Sequence, residues 1–268
     1  MQSLSRREFV ASTLVGVSTL ATVGGRSWGA GPGWVMGGQS YSFRKFSFED
    51  SIKNLKELGL EHMEFCAVHF LTGAAREGLS KVKATIEAAK IRVPCYGVEG
   101  FSADVEANRR KFEFGKYMGI GILTADPEPE SFDNLEKLCG EYKIKVAIHN
   151  HGPKARYDKV SDTLKAVEGK SAMIGACVDT GHVIRSGEKP HEVIRALGAR
   201  VHSLHLKDWR HGGEEQILGE GDMDLGEVAK ALRELQFTGP IMMEYENSPE
   251  NPLPDMKKGL ANWLAASA

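Results

Sequence analysis

The feature that most restricts the fold of this chain is an alternation. Eight short apolar runs are separated by longer stretches whose apolar residues recur at helical spacing. The strand candidates are 35–42, 62–66, 92–97, 121–125, 145–149, 176–179, 201–205 and 241–244. Helical patterns lie near 48–58, 79–90, 103–118, 131–141, 158–168, 190–197, 224–236 and 254–265. Ser47, Ser131 and Pro190 stand where a helix cap or first-turn proline belongs. Strand ends recur every 24 to 39 residues, the length of one strand–helix unit. Strict alternation implies parallel strands joined by crossover helices, and eight units predict a closed (β/α)8 TIM barrel of the α/β class. No Gly-x-Gly-x-x-Gly follows the first run, so a dinucleotide-binding open sheet has no support. No linker or low-complexity stretch interrupts residues 31–268, which read as a single domain.

The first thirty residues stand apart from this pattern. Ser5-Arg6-Arg7-Glu8-Phe9-Val10 precedes a weakly hydrophobic stretch from Ala11 to Val23 rich in Thr, Ser and Gly. That order resembles a twin-arginine export signal, so residues 1–30 are expected to be a signal peptide and the protein to be exported to the periplasm. Such systems move folded proteins, which allows a metal to be loaded before export. The stretch is too short and too polar for the ~20 apolar residues of a membrane span, so no stable membrane insertion is expected. Ser27-Trp28-Gly29-Ala30 is a poor cleavage site, and the mature start is placed near Gly31.

Charge removes one class of partner. Without Arg6, Arg7, Arg26 and Glu8, the chain carries 31 basic and 35 acidic side chains, a net charge of −4 with no Lys/Arg run. That offers no footprint for nucleic acid. Cys66, Cys95, Cys139 and Cys177 show no Cys-x-x-Cys spacing, and three sit in strand-like runs. They read as small core residues, without a disulfide framework or thiolate metal site.

In a barrel of this kind chemistry sits at the C-terminal ends of the strands. The last four runs end in His149 ("AIHNHG"), Asp179 ("CVDTGH"), His205 ("SLHLKD") and Glu244 ("MMEYE"). A single such residue is ordinarily a structural hydrogen-bonding group. Four on successive strands would be brought together by barrel closure, and two imidazoles with two carboxylates suit one divalent metal ion (Mn, Co, Mg or Zn). His149 and His151, two apart, share a strand face.

These motifs, with "GLEHMEF" at strand two, "LGEGDMDLGEV" before the seventh helix and "PIMMEYE" at strand eight, resemble the xylose isomerase-like TIM-barrel superfamily. The branch in question is that of sugar phosphate isomerases/epimerases, and the resemblance spans about residues 34–265. It implies that His149, Asp179, His205 and Glu244 hold the ion, and that His182, in Asp-x-x-His, lies beside a substrate oxygen. Lys207 is placed either to hold an oxygen of the sugar or to pair with Asp208. Glu64 is placed either near the substrate or behind a ligand that it orients. Ketose 3-epimerases of the superfamily carry glutamate on strand five, as one of two bases. His149 stands there instead, which disfavours two-glutamate epimerisation and is closer to the inosose dehydratases. His151 is then a candidate acid/base or a structural histidine.

The leading expectation is a metal-dependent sugar isomerase/epimerase acting on a keto-sugar or related polyol through a metal-stabilised enediolate. Glu244 is the candidate base, and His151 or His182 handles the second proton. The alternative is a dehydratase, lyase or hydrolase on a 3-keto-sugar or inosose at the same site. Trp209 either stacks on the sugar or packs at the rim, and 209–222 forms a rim or lid in which Gly219-Glu220-Gly221-Asp222 reads as a turn. An endonuclease IV-like enzyme would need more ligands and a basic groove. A non-catalytic carbohydrate-binding barrel is the remaining rival, separable by turnover of a keto-sugar. A homodimer is compatible with the family resemblance.

Overall fold

The computed structural model describes residues 34–268, so the signal-like segment lies outside the described residues. In chain order the elements are β1 (Val35–Gln39), α1 (Phe48–Glu57), β2 (Met63–Glu64), α2 (Arg76–Ala88), β3 (Cys95–Phe101), α3 (Val105–Met118), β4 (Ile122–Pro127) and α4 (Phe132–Tyr142). There follow β5 (Lys145–His149), α5 (Val160–Val167), β6 (Ile174–Asp179), α6 (Thr180–Arg185), α7 (Pro190–Leu197) and β7 (Val201–Leu206). A two-stranded hairpin, β8 (Asp208–Trp209) and β9 (Glu215–Gln216), precedes α8 (Leu225–Glu234), β10 (Pro240–Met243) and α9 (Leu253–Ala266).

Eight strands form one parallel sheet in the order β2-β1-β10-β7-β6-β5-β4-β3. Its two edges meet: His62 and Arg92, and Phe65 and Tyr96, form parallel bridges. The backbone bonds Met63 N–H to Arg92 O (3.0 Å) and Gly97 N–H to Phe65 O (3.1 Å) tie the seam. The sheet is therefore a nearly closed TIM barrel with β10 as its eighth strand, as the alternation predicts. Among the described residues no helix is long and apolar enough to cross a membrane.

Strand periodicity decides which side chains face the barrel interior. Cys95, Ile122, Ala147, Cys177 and Met242 form a small buried cluster of their own, separate from the helix-packed core. Ala147 and His149, Cys177 and Asp179, and Met242 and Glu244 are each two apart, so the candidate ligands share the inward face of these small residues. The intervening residues, such as Ile148, Val178 and Met243, belong to the larger core between barrel and helices.

Helix starts follow local chemistry. Ser47 accepts the Asp50 amide at 3.1 Å, and Pro190 opens α7, both as expected. Ser131 does not cap α4: a 3-10 turn over Pro129–Ser131 leads into the helix, and its hydroxyl donates to Glu128 O instead. Strand three also differs from the sequence reading. It runs on past Gly97 to Phe101, because a register shift between Tyr96 and Glu99 carries the strand through the glycine.

Candidate metal centre

At the C-terminal mouth of the barrel, one ligand atom from each of His149, Asp179, His205 and Glu244 lies within 4.8 Å of the others, and all four residues are buried. His149 Nε2 is 3.1 Å from His205 Nδ1 and 3.4 Å from Asp179 Oδ2, while His205 Nδ1 is 3.2 Å from Glu244 Oε2. Parallel register sets this level: His205 is the pairing partner of Asp179 on one side and of Met242 on the other. Asn150 ties the neighbouring strand ends by a two-way bond, donating to Asp179 O at 3.0 Å and accepting its amide at 2.9 Å.

The donor set fits a divalent cation. Asp179 Oδ2 and Glu244 Oε2 are buried without a hydrogen-bond donor, whereas Asp179 Oδ1 is engaged as the cap of α6, accepting the His182 amide at 2.8 Å. Buried carboxylate oxygens without donors are costly unless a cation meets them. His149 through Nε2, His205 through Nδ1 and the two free carboxylate oxygens would hold the ion. Glu64 stands behind this set: it is fully buried, and its Oε2 lies 2.9 Å from His205 Nε2. Of the two places open to it from sequence, the geometry puts Glu64 behind His205 and off the cavity wall.

Lys207 is buried among acids. Its Nζ is 3.4 Å from Glu244 Oε2 and 3.7 Å from Asp179 Oδ2, and it bonds Glu246. Burial would lower its pKa, but Glu244, Asp179 and Glu246 outweigh burial and hold it above its ordinary value, so it is charged. Burial would likewise raise Glu244, yet Lys207 and His205 bring its carboxyl down to about 2. The pairing of Lys207 with Asp208 expected as one alternative does not form. The Asp208 carboxylate turns away and accepts the amides of Gly219, Gly221 and Met223 at 2.9–3.1 Å. The Gly-Glu-Gly-Asp turn thereby wraps a carboxylate of its own chain, and no phosphate loop is involved.

A cavity of about 630 Å³ opens over the cluster. His151 and His182 line it beside His149: the His149 and His151 rings are 4.5 Å apart between centres, and those of His151 and His182 5.2 Å. Burial, reinforced by His149, pushes His151 down to about 4. Burial also brings His182 down to about 3, against the pull of Asp179. Both imidazoles are therefore neutral at neutral pH. Trp209 lies at the rim, its Nε1 donating to Gly213 O at 3.1 Å and one ring face covered by the Arg185 guanidinium.

Glu246, Glu215 and Arg185, all lining this cavity, were not singled out in the sequence. Glu246 follows Glu244 by two and so shares its direction, a signal present in "EYE". Glu215 on β9 is buried and accepts the amides of Glu246 and Asn247 at 2.7–3.0 Å, strapping the rim hairpin to the loop after β10. Burial raises its pKa to about 7. Arg185, on the short helix α6, had no signal in the sequence.

A parallel eight-stranded barrel with a buried two-imidazole, two-carboxylate set at its mouth defines a class: barrels built to hold a divalent cation at the strand ends. The family model of the xylose isomerase-like TIM barrel matches residues 52–267, and the chain belongs to that family. An inosose dehydratase of Clostridium botulinum (strain Eklund 17B / Type B) is 27% identical over 148 residues, covering 47% of this chain and 49% of the relative. An inosose dehydratase of Lactiplantibacillus plantarum is 24% identical over 223 residues, 74% of each chain. The chain spans about half the length of the Clostridium relatives it matches. Among solved structures, a 3-keto-D-glucoside 4-epimerase from E. coli aligns with a TM-score of 0.69 at 15% identity, covering 87% of this chain and 99% of that one, a likeness of fold.

Proposed function

We propose that this protein is a metal-dependent dehydratase acting on a cyclic keto-polyol of the inosose or 3-keto-sugar class. The observation that carries the reading is His149 in the ligand cluster with the neutral His151 beside it, where two-base epimerisation would call for a glutamate. The curated relatives named inosose dehydratases support the same choice, and with it the alternative among the sequence expectations over isomerisation or epimerisation.

A divalent ion held by His149, Asp179, His205 and Glu244 would polarise the substrate carbonyl and acidify the adjacent carbon. Glu244, with its carboxyl held low by Lys207 and engaged as a ligand, is a poor base. His151 is the better one, being neutral and on the cavity wall. It takes the proton from the carbon next to the carbonyl. The charged Lys207 stabilises negative charge developing on oxygen. The C–O bond one carbon further then breaks, and the imidazolium of His151 returns its proton to the departing hydroxyl. One water leaves and the ring keeps a new carbon–carbon double bond, which tautomerises to a dione.

The test is incubation of the full chain with a keto-inositol and each of manganese, cobalt, magnesium and zinc, followed by mass and ultraviolet spectra. A product lighter by one water supports dehydration. In D2O, a product that has lost no water but is heavier by one carbon-bound deuterium makes the protein an epimerase or isomerase. No reaction with keto-inositols or 3-keto-glucosides favours a carbohydrate-binding barrel.

A further inference from the structure

Gly152, which closes "AIHNHG", and an arginine from α6 meet beside the cavity. Arg185 Nη1 lies 2.8 Å from His182 Nδ1, one helical turn earlier. A guanidinium carries donors only, so Nδ1 of His182 must accept and its single proton must sit on Nε2. That nitrogen is on the side of the ligand cluster, 3.9 Å from Asp179 Oδ2, and the residue lines the cavity. The guanidinium is itself held in place. The Trp209 ring lies 4.8 Å from Arg185 Cζ at its ring centre. A Cβ added to Gly152 would come within 2.8 Å of Cζ and 3.0 Å of Nη1. The absence of a side chain at 152 is what admits the guanidinium.

We propose that Arg185 is a positioning residue that, packed against Trp209 and Gly152, locks His182 in its Nε2–H tautomer and presents a fixed hydrogen-bond donor to a substrate oxygen. The tautomer stands on geometry alone; its use on a substrate rests on the dehydratase reading. With Nδ1 engaged by an arginine, His182 has no free lone pair for proton abstraction, so its part is to orient the leaving hydroxyl or carbonyl while His151 moves the proton.

The tautomer is read directly by long-range proton–nitrogen correlation spectra of the full chain labelled with nitrogen-15 at histidine, with and without zinc. His182 is assigned as the signal lost in His182→Gln. The expected pattern has a bare Nδ1 and a protonated Nε2. In Arg185→Met the lock is lost and Nδ1–H appears. Arg185→Lys restores the Nε2–H form, and Gly152→Ala, which displaces the guanidinium without removing it, shifts His182 partway. A proton on Nδ1 in the unaltered protein, or an Nε2–H form that persists in Arg185→Met, overturns the inference. His202, near the start of β7 and remote from the strand ends, reports whether the fold is intact. If its signals also move in Arg185→Met, Gly152→Ala decides alone, and an unchanged His182 there is the overturning result. Where turnover is found, Arg185→Met is expected to lower kcat about 10- to 100-fold with KM little changed. A locked tautomer without any turnover would retain this inference and remove the functional one.

Discussion

Glu64 and His205, 141 positions apart in sequence, meet at 2.9 Å between Oε2 and Nε2 behind the candidate metal cluster. The bond leaves Nδ1 as the only His205 nitrogen available to the cluster, and it points that atom at His149 and Glu244. Removing such an orienting carboxylate typically costs a metal site 10- to 100-fold in affinity. Glu64→Gln should therefore bind zinc about 10- to 100-fold more weakly, measured by competition with a chromogenic chelator. An affinity within twofold of the unaltered protein would show that His205 needs no such partner.

Lys207 offers a different test, because it balances charge without being a ligand. It is 1% exposed and neighbours Asp179, Glu244 and Glu246. Removing one partner from a buried ionic cluster leaves like charges facing each other and typically costs about 3–5 kcal/mol. Lys207→Met is expected to lower metal-free stability by about that amount in urea unfolding. A divalent ion, by meeting the same carboxylates, should narrow the gap. Equal losses with and without metal would mean that the ion does not bind at these oxygens.

The clustering of His149, Asp179, His205 and Glu244 was legible in the sequence because each closes an apolar run, and parallel pairing of adjacent strands places run ends at one level. Glu64 was legible only as one of two choices, since the sequence does not reveal what a strand-two carboxylate faces across the barrel. The rim was not legible. β8 and β9 have two residues each, too few for an alternating pattern. In α6, Thr180 through Ile184 are all buried, so no polar face marks it as a helix. Arg185 and Glu215 look like solvated loop charges until the α6 turn gives the first the imidazole of His182 and tertiary contacts give the second two backbone amides. Lys207 likewise sits next to Asp208 in sequence, but strand geometry points the two side chains apart.

Asp179 has two oxygens with two duties, which allows the metal to be separated from the fold. Oδ1 caps α6 through the His182 amide, and Oδ2 is free. Asp179→Asn keeps a capping oxygen but loses the charge, whereas Asp179→Ala also gives up a cap worth about 1 kcal/mol. In a chelator both variants should remain folded, with Asp179→Ala the less stable of the two. Adding zinc should raise the melting temperature of the unaltered protein and leave both variants unmoved. A zinc-dependent rise that survives in Asp179→Asn would place the binding elsewhere.

His202 should make stability fall in mild acid. Its ring is buried, Nδ1 has no partner, and Nε2 lies 3.1 Å from Ala172 O. Burial, with Lys145 nearby, pushes its pKa down to about 4 from the 6.5 of an exposed imidazole. Above 6.5 neither the folded nor the unfolded chain protonates this group, and it costs nothing. As the pH falls below 6.5 the unfolded state takes up the proton first, so stability drops until the folded state is protonated near 4. The full loss is on the order of 3 kcal/mol. Urea unfolding in chelator across this range should show a shallower fall in His202→Gln than in the unaltered protein. Identical slopes would mean that the imidazole reaches solvent or a partner that stabilises its charge.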